Sequence, residues 1–136
     1  MTSEERQLLV KEFCRHMGWN TADRPHIPPV TLSDQFLFKL REEIDELCVG
    51  AGQGGDPASF IKLVDALCDA EYLLHGIALL FGVQHAIDDA FMEVHYSNMT
   101  KRMVDGLVTK PADFKKPDIV GVLRKHFPKQ GLSFRS

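Results

Sequence analysis

Apolar residues recur at helical spacing over most of the chain, and no stretch alternates them with polar residues at the two-residue period of a half-buried strand. Leu8, Leu9, Phe13 and Met17 follow a capping-box pattern, Thr2 with Glu5, and predict a first helix over about residues 3–17 that stops at Gly18. Pro25, Pro28 and Pro29 then deny helix and predict an ordered, extended arm. Trp19 in that arm suits an anchor on the core or a platform for a base, and anchoring is the commoner role. Leu37, Leu40, Ile44 and Leu47 mark one face of a second helix, opened by Thr31 with Asp34 or by Ser33, and ending near Gly50. Asp56 followed by Pro57 caps a third helix over about residues 57–81, which Gly82 closes.

Phe60, Ile61, Val64, Leu67, Leu74 and Leu80 make the third helix apolar almost all round, which places it in the middle of a bundle or at a subunit interface. A fourth helix over about residues 84–102 packs through Ile87, Phe91 and Val94 and ends in Glu93, His95, Asn98, Lys101 and Arg102. Turn residues, Asp105-Gly106 among them, dominate from Met103 to Pro117 and predict a loop with little regular structure. Asp118 caps a short helix through about His126, and the tail to Ser136 reads as loose. The expected fold is all-α: an antiparallel bundle of about four main helices with a short C-terminal helix, completed by oligomerisation.

The carboxylates change this picture. In the run LREEIDEL, Leu40–Leu47, helical spacing puts Glu42, Glu43 and Glu46 on one side of the second helix, beside its core stripe. Such an acidic stripe is by itself ordinary solvated surface. The third helix, however, carries Asp65, Asp69, Tyr72 and Gly76 at spacings of four, three and four, a polar line on an apolar rod. Buried carboxylates there are costly unless something positive neutralises them. A short loop joins the two helices, so the two acidic lines are expected to face each other across an antiparallel pair. Oxygen-only ligands of this kind suit magnesium, with manganese as a possible substitute, and magnesium so held binds substrate phosphates.

Composition sets the class. The 136 residues fit a single domain able to bury a core without disulfides, and 44% hydrophobic with 26% charged residues excludes a disordered tail. No apolar run reaches membrane-spanning length, and the acidic N-terminal stretch resembles neither a secretory signal nor a transit peptide, so a soluble, cytoplasmic protein with no membrane partner is expected. Cys14, Cys48 and Cys68 lack C-x-x-C spacing and are read as small buried apolar residues. A net charge of −3 with scattered basic residues argues against nucleic acid as a partner. The glycine-rich run from Gly50 to Gly55 lacks the ending of a P-loop and reads as a flexible inter-helix loop.

The strings LREEIDEL, DALCDAEYLLHGIALLFGV and FMEVHYSNMTK, in this order and spacing, resemble the MazG-like all-alpha nucleoside triphosphate pyrophosphohydrolase superfamily, nearest to its phosphoribosyl-ATP pyrophosphohydrolase-like branch. The resemblance covers roughly residues 30–120 and implies a single pyrophosphohydrolase domain over 1–136. It implies that Glu42, Glu43, Glu46 and Asp69 hold magnesium, and that a nucleoside triphosphate is cleaved to its monophosphate and pyrophosphate. Much of the superfamily has Glu three residues before Asp69; here that position is Ala66, and Asp65, on the Asp69 face, is the candidate substitute ligand. The resemblance further implies Glu43 as general base, Asn98 and Lys101 on the nucleotide or its phosphates, Tyr72 shaping the pocket, and Lys110, Lys115 and Lys116 in a loop over the substrate. It also implies a homodimer or homotetramer. The alternative is a noncatalytic helical module, metal-binding or regulatory, which the Ala66 departure favours. A di-iron carboxylate bundle would need Glu-x-x-His pairs, which neither acidic motif supplies.

Overall fold

The computed structural model describes residues 1–52 and 55–128, and the chain divides into two compact units, Met1–Gln84 and the remainder from His85. The first unit holds three helices, α1 (Ser3–His16), α2 (Val30–Ala51) and α3 (Pro57–Phe81). The capping box forms as the sequence predicts: the Glu5 amide donates to Thr2 Oγ1 at 3.1 Å, and the Thr2 amide donates to the Glu5 carboxylate at 2.7 Å. At the other end of α1, Gly18 takes a φ of +77°, and the amides of Gly18 and Trp19 donate back to the carbonyls of Arg15 and Cys14. Trp19 then packs on the cluster of Val10, Cys14 and Leu79 that joins α1 to α3, so it does anchor the arm.

The opening of α2 differs from the caps expected at Thr31 or Ser33. Pro29, with φ −52°, precedes the first turn, and its carbonyl accepts from the amides of Leu32 and Ser33. Ser33 Oγ turns back to donate to the Val30 carbonyl, so proline geometry replaces a side-chain cap here. At the start of α3, Asp56 accepts from the Ser59 amide at 2.8 Å, as expected. Two close approaches fix α2 and α3 as antiparallel. Gly50 near the end of α2 lies against Leu63 and Ser59 near the start of α3, while Phe36 early in α2 lies against Gly76 late in α3. Within this chain α3 is not enclosed, since Phe60, Ile61, Val64, Leu67 and Leu74 remain exposed. Of the cysteines only Cys14 is buried; Cys48 and Cys68 are exposed, because they occupy positions on α2 and α3 that this chain leaves uncovered.

The second unit holds α4 (Ile87–Asn98), an antiparallel hairpin of β1 (Arg102–Val104) and β2 (Leu107–Thr109), and α5 (Ile119–His126). A 3-10 turn, Gln84–Ala86, leads into α4, which stops at Asn98 rather than near residue 102 because tight turns follow: Thr100 and Lys101 donate to the carbonyls of Ser97 and Asn98. The hairpin corrects the expectation of an irregular loop over 103–117. Asp105 and Gly106 both take positive φ, 50° and 77°, the two-residue turn whose twist matches antiparallel strands. Each strand has three residues and little burial on either face, so no alternation existed to be read. Asp118 caps α5 by accepting from the Gly121 amide, and Ala86, Val122 and Phe127 form the small core of this unit. The fold is therefore mostly helical, as expected, with the hairpin added. Gln53 and Gly54 of the glycine-rich loop, and the tail from Lys129 on, lie outside the described residues.

Candidate active site

The antiparallel packing of α2 on α3 brings Glu43 and Asp69 to one cavity of about 510 Å³ in the first unit, a volume typical of small-molecule sites. Its wall is aromatic. Phe13 of α1, Trp19 of the arm, Phe36 and Phe38 of α2 and Tyr72 of α3 line it, with Gln35, Lys39 and Leu73. The rings hold one another edge to face: Trp19 on Phe36 at 5.2 Å, Phe13 on Trp19 at 5.8 Å, and Phe13 on Tyr72 at 5.6 Å between centroids. Gly76 is part of this construction, because a Cβ there would stand 2.4 Å from the Phe36 ring.

Glu43 is half-buried, and its Oε2 is sealed from solvent without a hydrogen-bond partner. Burial raises its pKa above the ordinary carboxylate range, and the charges of Glu46 and Asp69, a hydrogen bond shared with Glu46, and the charge of Asp65 push it the same way. All of these causes disfavour the anion, and a divalent cation would reverse them. Tyr72 is also raised by burial, so its hydroxyl stays protonated.

The other predicted ligands are arranged less tightly than their spacing suggested. Glu42 pairs with Lys39 at 3.1 Å, and Glu46 and Asp65 line a second cleft of about 420 Å³ with Asp45, Val49 and Lys62. Among the described residues, no three acid, histidine or cysteine side chains stand together as a metal cage. Ala66, at the position of the departing motif residue, is fully buried. Asn98, Lys101 and Lys110 belong to the second unit. There Lys110 sets its ammonium 5.2 Å from the Phe114 ring, Arg102 pairs with Asp113 at 2.9 Å, and Ser97 Oγ donates to the Lys115 carbonyl at 2.6 Å. The substrate loop expected after α4 is thus tied to its own unit.

The chain matches the family model described as phosphoribosyl-ATP pyrophosphohydrolase over residues 10–98, more than half its length. It belongs to this family. Members of the phosphoribosyl-ATP pyrophosphohydrolase family act on phosphoanhydride bonds, are typically magnesium-dependent, and fall within the MazG-like all-alpha superfamily. No curated protein matches the chain. The matched residues include all five candidate carboxylates, Tyr72 and Asn98, whereas Lys101 and Lys110 fall outside them. Gln35, Phe36, Phe38 and Lys39 are cavity residues that the sequence did not single out, and Phe13 was read only as part of the first helix's apolar face. The one signal pointing to them was Gly76, a small residue on the acidic line with no role until a ring was found against it.

Proposed function

We propose that the chain is a magnesium-dependent nucleoside triphosphate pyrophosphohydrolase, with residues 1–136 acting as one catalytic domain. The observation that carries this reading is the join between the aromatic cavity and Glu43, whose sealed, unpartnered carboxylate oxygen sits among three further acids. Flat aromatic walls suit a nucleobase, and an oxygen-only donor set suits a hard cation carrying phosphates. Glu42, Glu43, Glu46 and Asp69 would hold magnesium, or manganese in its place, with Asp65 standing in for the carboxylate that Ala66 lacks. When bound, the ion neutralises phosphate charge and makes an attacking water more acidic.

The chain's own groups supply the rest. Where Glu43 serves as general base rather than as a ligand, its carboxylate accepts the proton of the attacking water, and the neutral Tyr72 hydroxyl donates to bound nucleotide. Lys101 offsets phosphate charge, while Asn98 and Lys110 contact substrate. The products are a nucleoside monophosphate and pyrophosphate. The uncovered apolar side of α3 supports assembly as a homodimer or homotetramer. No single helix among the described residues is long and apolar enough to cross a membrane, and the cytoplasm, with its nucleotide pool, is the proposed location.

The test is to supply purified protein and magnesium with a panel of ribo- and deoxynucleoside triphosphates and to measure monophosphate and pyrophosphate. Both should appear in equal amounts from at least one nucleotide. Glu46→Gln and Asp69→Asn should each abolish turnover while leaving the helical circular dichroism unchanged. Absence of turnover together with absence of magnesium binding by calorimetry would overturn the enzyme reading, and magnesium binding without turnover would favour the noncatalytic helical module.

A further inference from the structure

We propose that Gln35 determines which nucleobase the aromatic cavity accepts; the proposal rests on the nucleotide reading above. Stacking on Phe38 and Tyr72, the exposed rings of the wall, favours a base but is tolerant of its identity, because every base offers a π face. Discrimination requires hydrogen bonds to the base edge, where a missing partner leaves a polar group unpaired.

The polar side chains on the cavity wall divide by chemistry. Glu43 and Asp69 are acids of the phosphate and metal end, and Lys39 is already held by Glu42 at 3.1 Å. Trp19 can only donate through its indole N–H, and the Tyr72 hydroxyl is a single rotating group. Gln35 is the neutral side chain on this wall that presents a donor and an acceptor together in one planar fork, the arrangement that reads two adjacent edge atoms of a base. Among the described residues its side-chain amide makes no hydrogen bond, so that capacity is open to a ligand. Its position is also well supported. It lies on α2 next to Phe36, whose ring is 5% exposed and wedged between Gly76 and Trp19.

The chain has a single tryptophan, Trp19, so its fluorescence reports what enters the cavity. The experiment compares wild type, Gln35→Ala and Gln35→Glu in two measurements. One is kcat and KM for the four common deoxynucleoside triphosphates with magnesium, and the other is quenching of Trp19 by the corresponding monophosphates. Gln35→Ala should compress the ratio of kcat/KM between best and worst base by about 10- to 100-fold, through KM on the best substrate. Magnesium affinity and the ribose-to-deoxyribose preference should stay unchanged. Gln35→Glu should reorder the bases toward those presenting an exocyclic amine, since its carboxylate only accepts. An unchanged base ratio in both variants, or a wild type indifferent to base, overturns the role of Gln35 while turnover itself survives. A wild type that hydrolyses no nucleotide and shows no quenching overturns the nucleotide reading and Gln35 with it.

Discussion

Gly82 offers the sharpest test of how the arm is held. It ends α3 with φ +71°, and it is buried beneath the arm: a Cβ would stand 1.9 Å from the Arg24 carbonyl oxygen and 2.6 Å from its carbon. Gly82→Ala therefore carries three costs. The left-handed backbone alone costs an L-residue about 1–2 kcal/mol. Displacing Arg24 by the ångström or so needed for contact adds about 1–3 kcal/mol of overpacking. It also strains two of the bonds that dock the arm, from the Ala22 amide to the Leu79 carbonyl at 3.1 Å and from the His26 amide to the Phe81 carbonyl at 3.0 Å, each worth about 1 kcal/mol. The backbone and overpacking costs sum to about 2–5 kcal/mol, rising to about 7 kcal/mol if both bonds are lost, a large share of the ~5–15 kcal/mol that holds a typical domain. Gly18 supplies the control. Its φ is +77°, yet nothing lies within 4 Å of a Cβ there, so Gly18→Ala should cost only the backbone part, about 1–2 kcal/mol. Urea unfolding followed by Trp19 fluorescence and by circular dichroism measures both. The variants should differ by about 1 kcal/mol or more, and native Trp19 emission should shift in Gly82→Ala alone. Equal destabilisation of the two would refute the claim that the arm is pressed onto the end of α3.

Two further outcomes follow from the charges. Glu43 is raised in the folded state, so its cost to metal-free protein is absent below the ordinary carboxylate value of about 4.3 and fully present above its folded pKa. Stability of the metal-free protein should thus decline as pH rises through that window. Glu43→Gln should flatten the decline and gain a few tenths to about 1 kcal/mol at pH 7 in urea melts, while losing magnesium binding; a variant with the wild-type pH profile contradicts this. In the second unit, the hydrogen bond with His126 at 2.7 Å, then the Lys125 ammonium at 3.2 Å, holds Asp89 below the ordinary carboxylate range. That contribution is present above pH ~3.9 and is lost as pH falls through the lowered value. Asp89→Asn should therefore speed amide exchange across Ile119–His126 at pH 7 more than near pH 3, and equal protection at pH 7 would show that the pair does not hold α5.

Local signals in the chain were sufficient for the helices. The Thr2 and Glu5 box, Asp56-Pro57, Gly82 and Asp118 each act through backbone groups within a few residues, so their effect is written in the sequence. Where the expectation missed, the deciding interaction was also local but offered a competing solution, as when Pro29 opened α2 in place of Thr31 or Ser33. The hairpin escaped notice because two three-residue strands with little burial leave no periodic trace, and the Asp105-Gly106 pair read as a turn without strands to join.

The carboxylate line on each helix is likewise a sequence property, since a period of 3.6 fixes which residues share a face. Which of those acids ends up desolvated is not. Only the tertiary packing of α2 on α3 seals Glu43 Oε2 and turns Glu46 and Asp65 into a second cleft, whereas the pairing of Glu42 with Lys39 is local to α2. The same packing collects Phe13, Trp19, Phe36 and Tyr72 from three helices and an arm into one wall, through contacts between residues up to about sixty positions apart. Such contacts leave no spacing to read. The sequence determined the helices, their acidic faces and the family. Burial, which depends on what each face meets, decided where the pocket is and which carboxylate oxygen is sealed without a partner beside it.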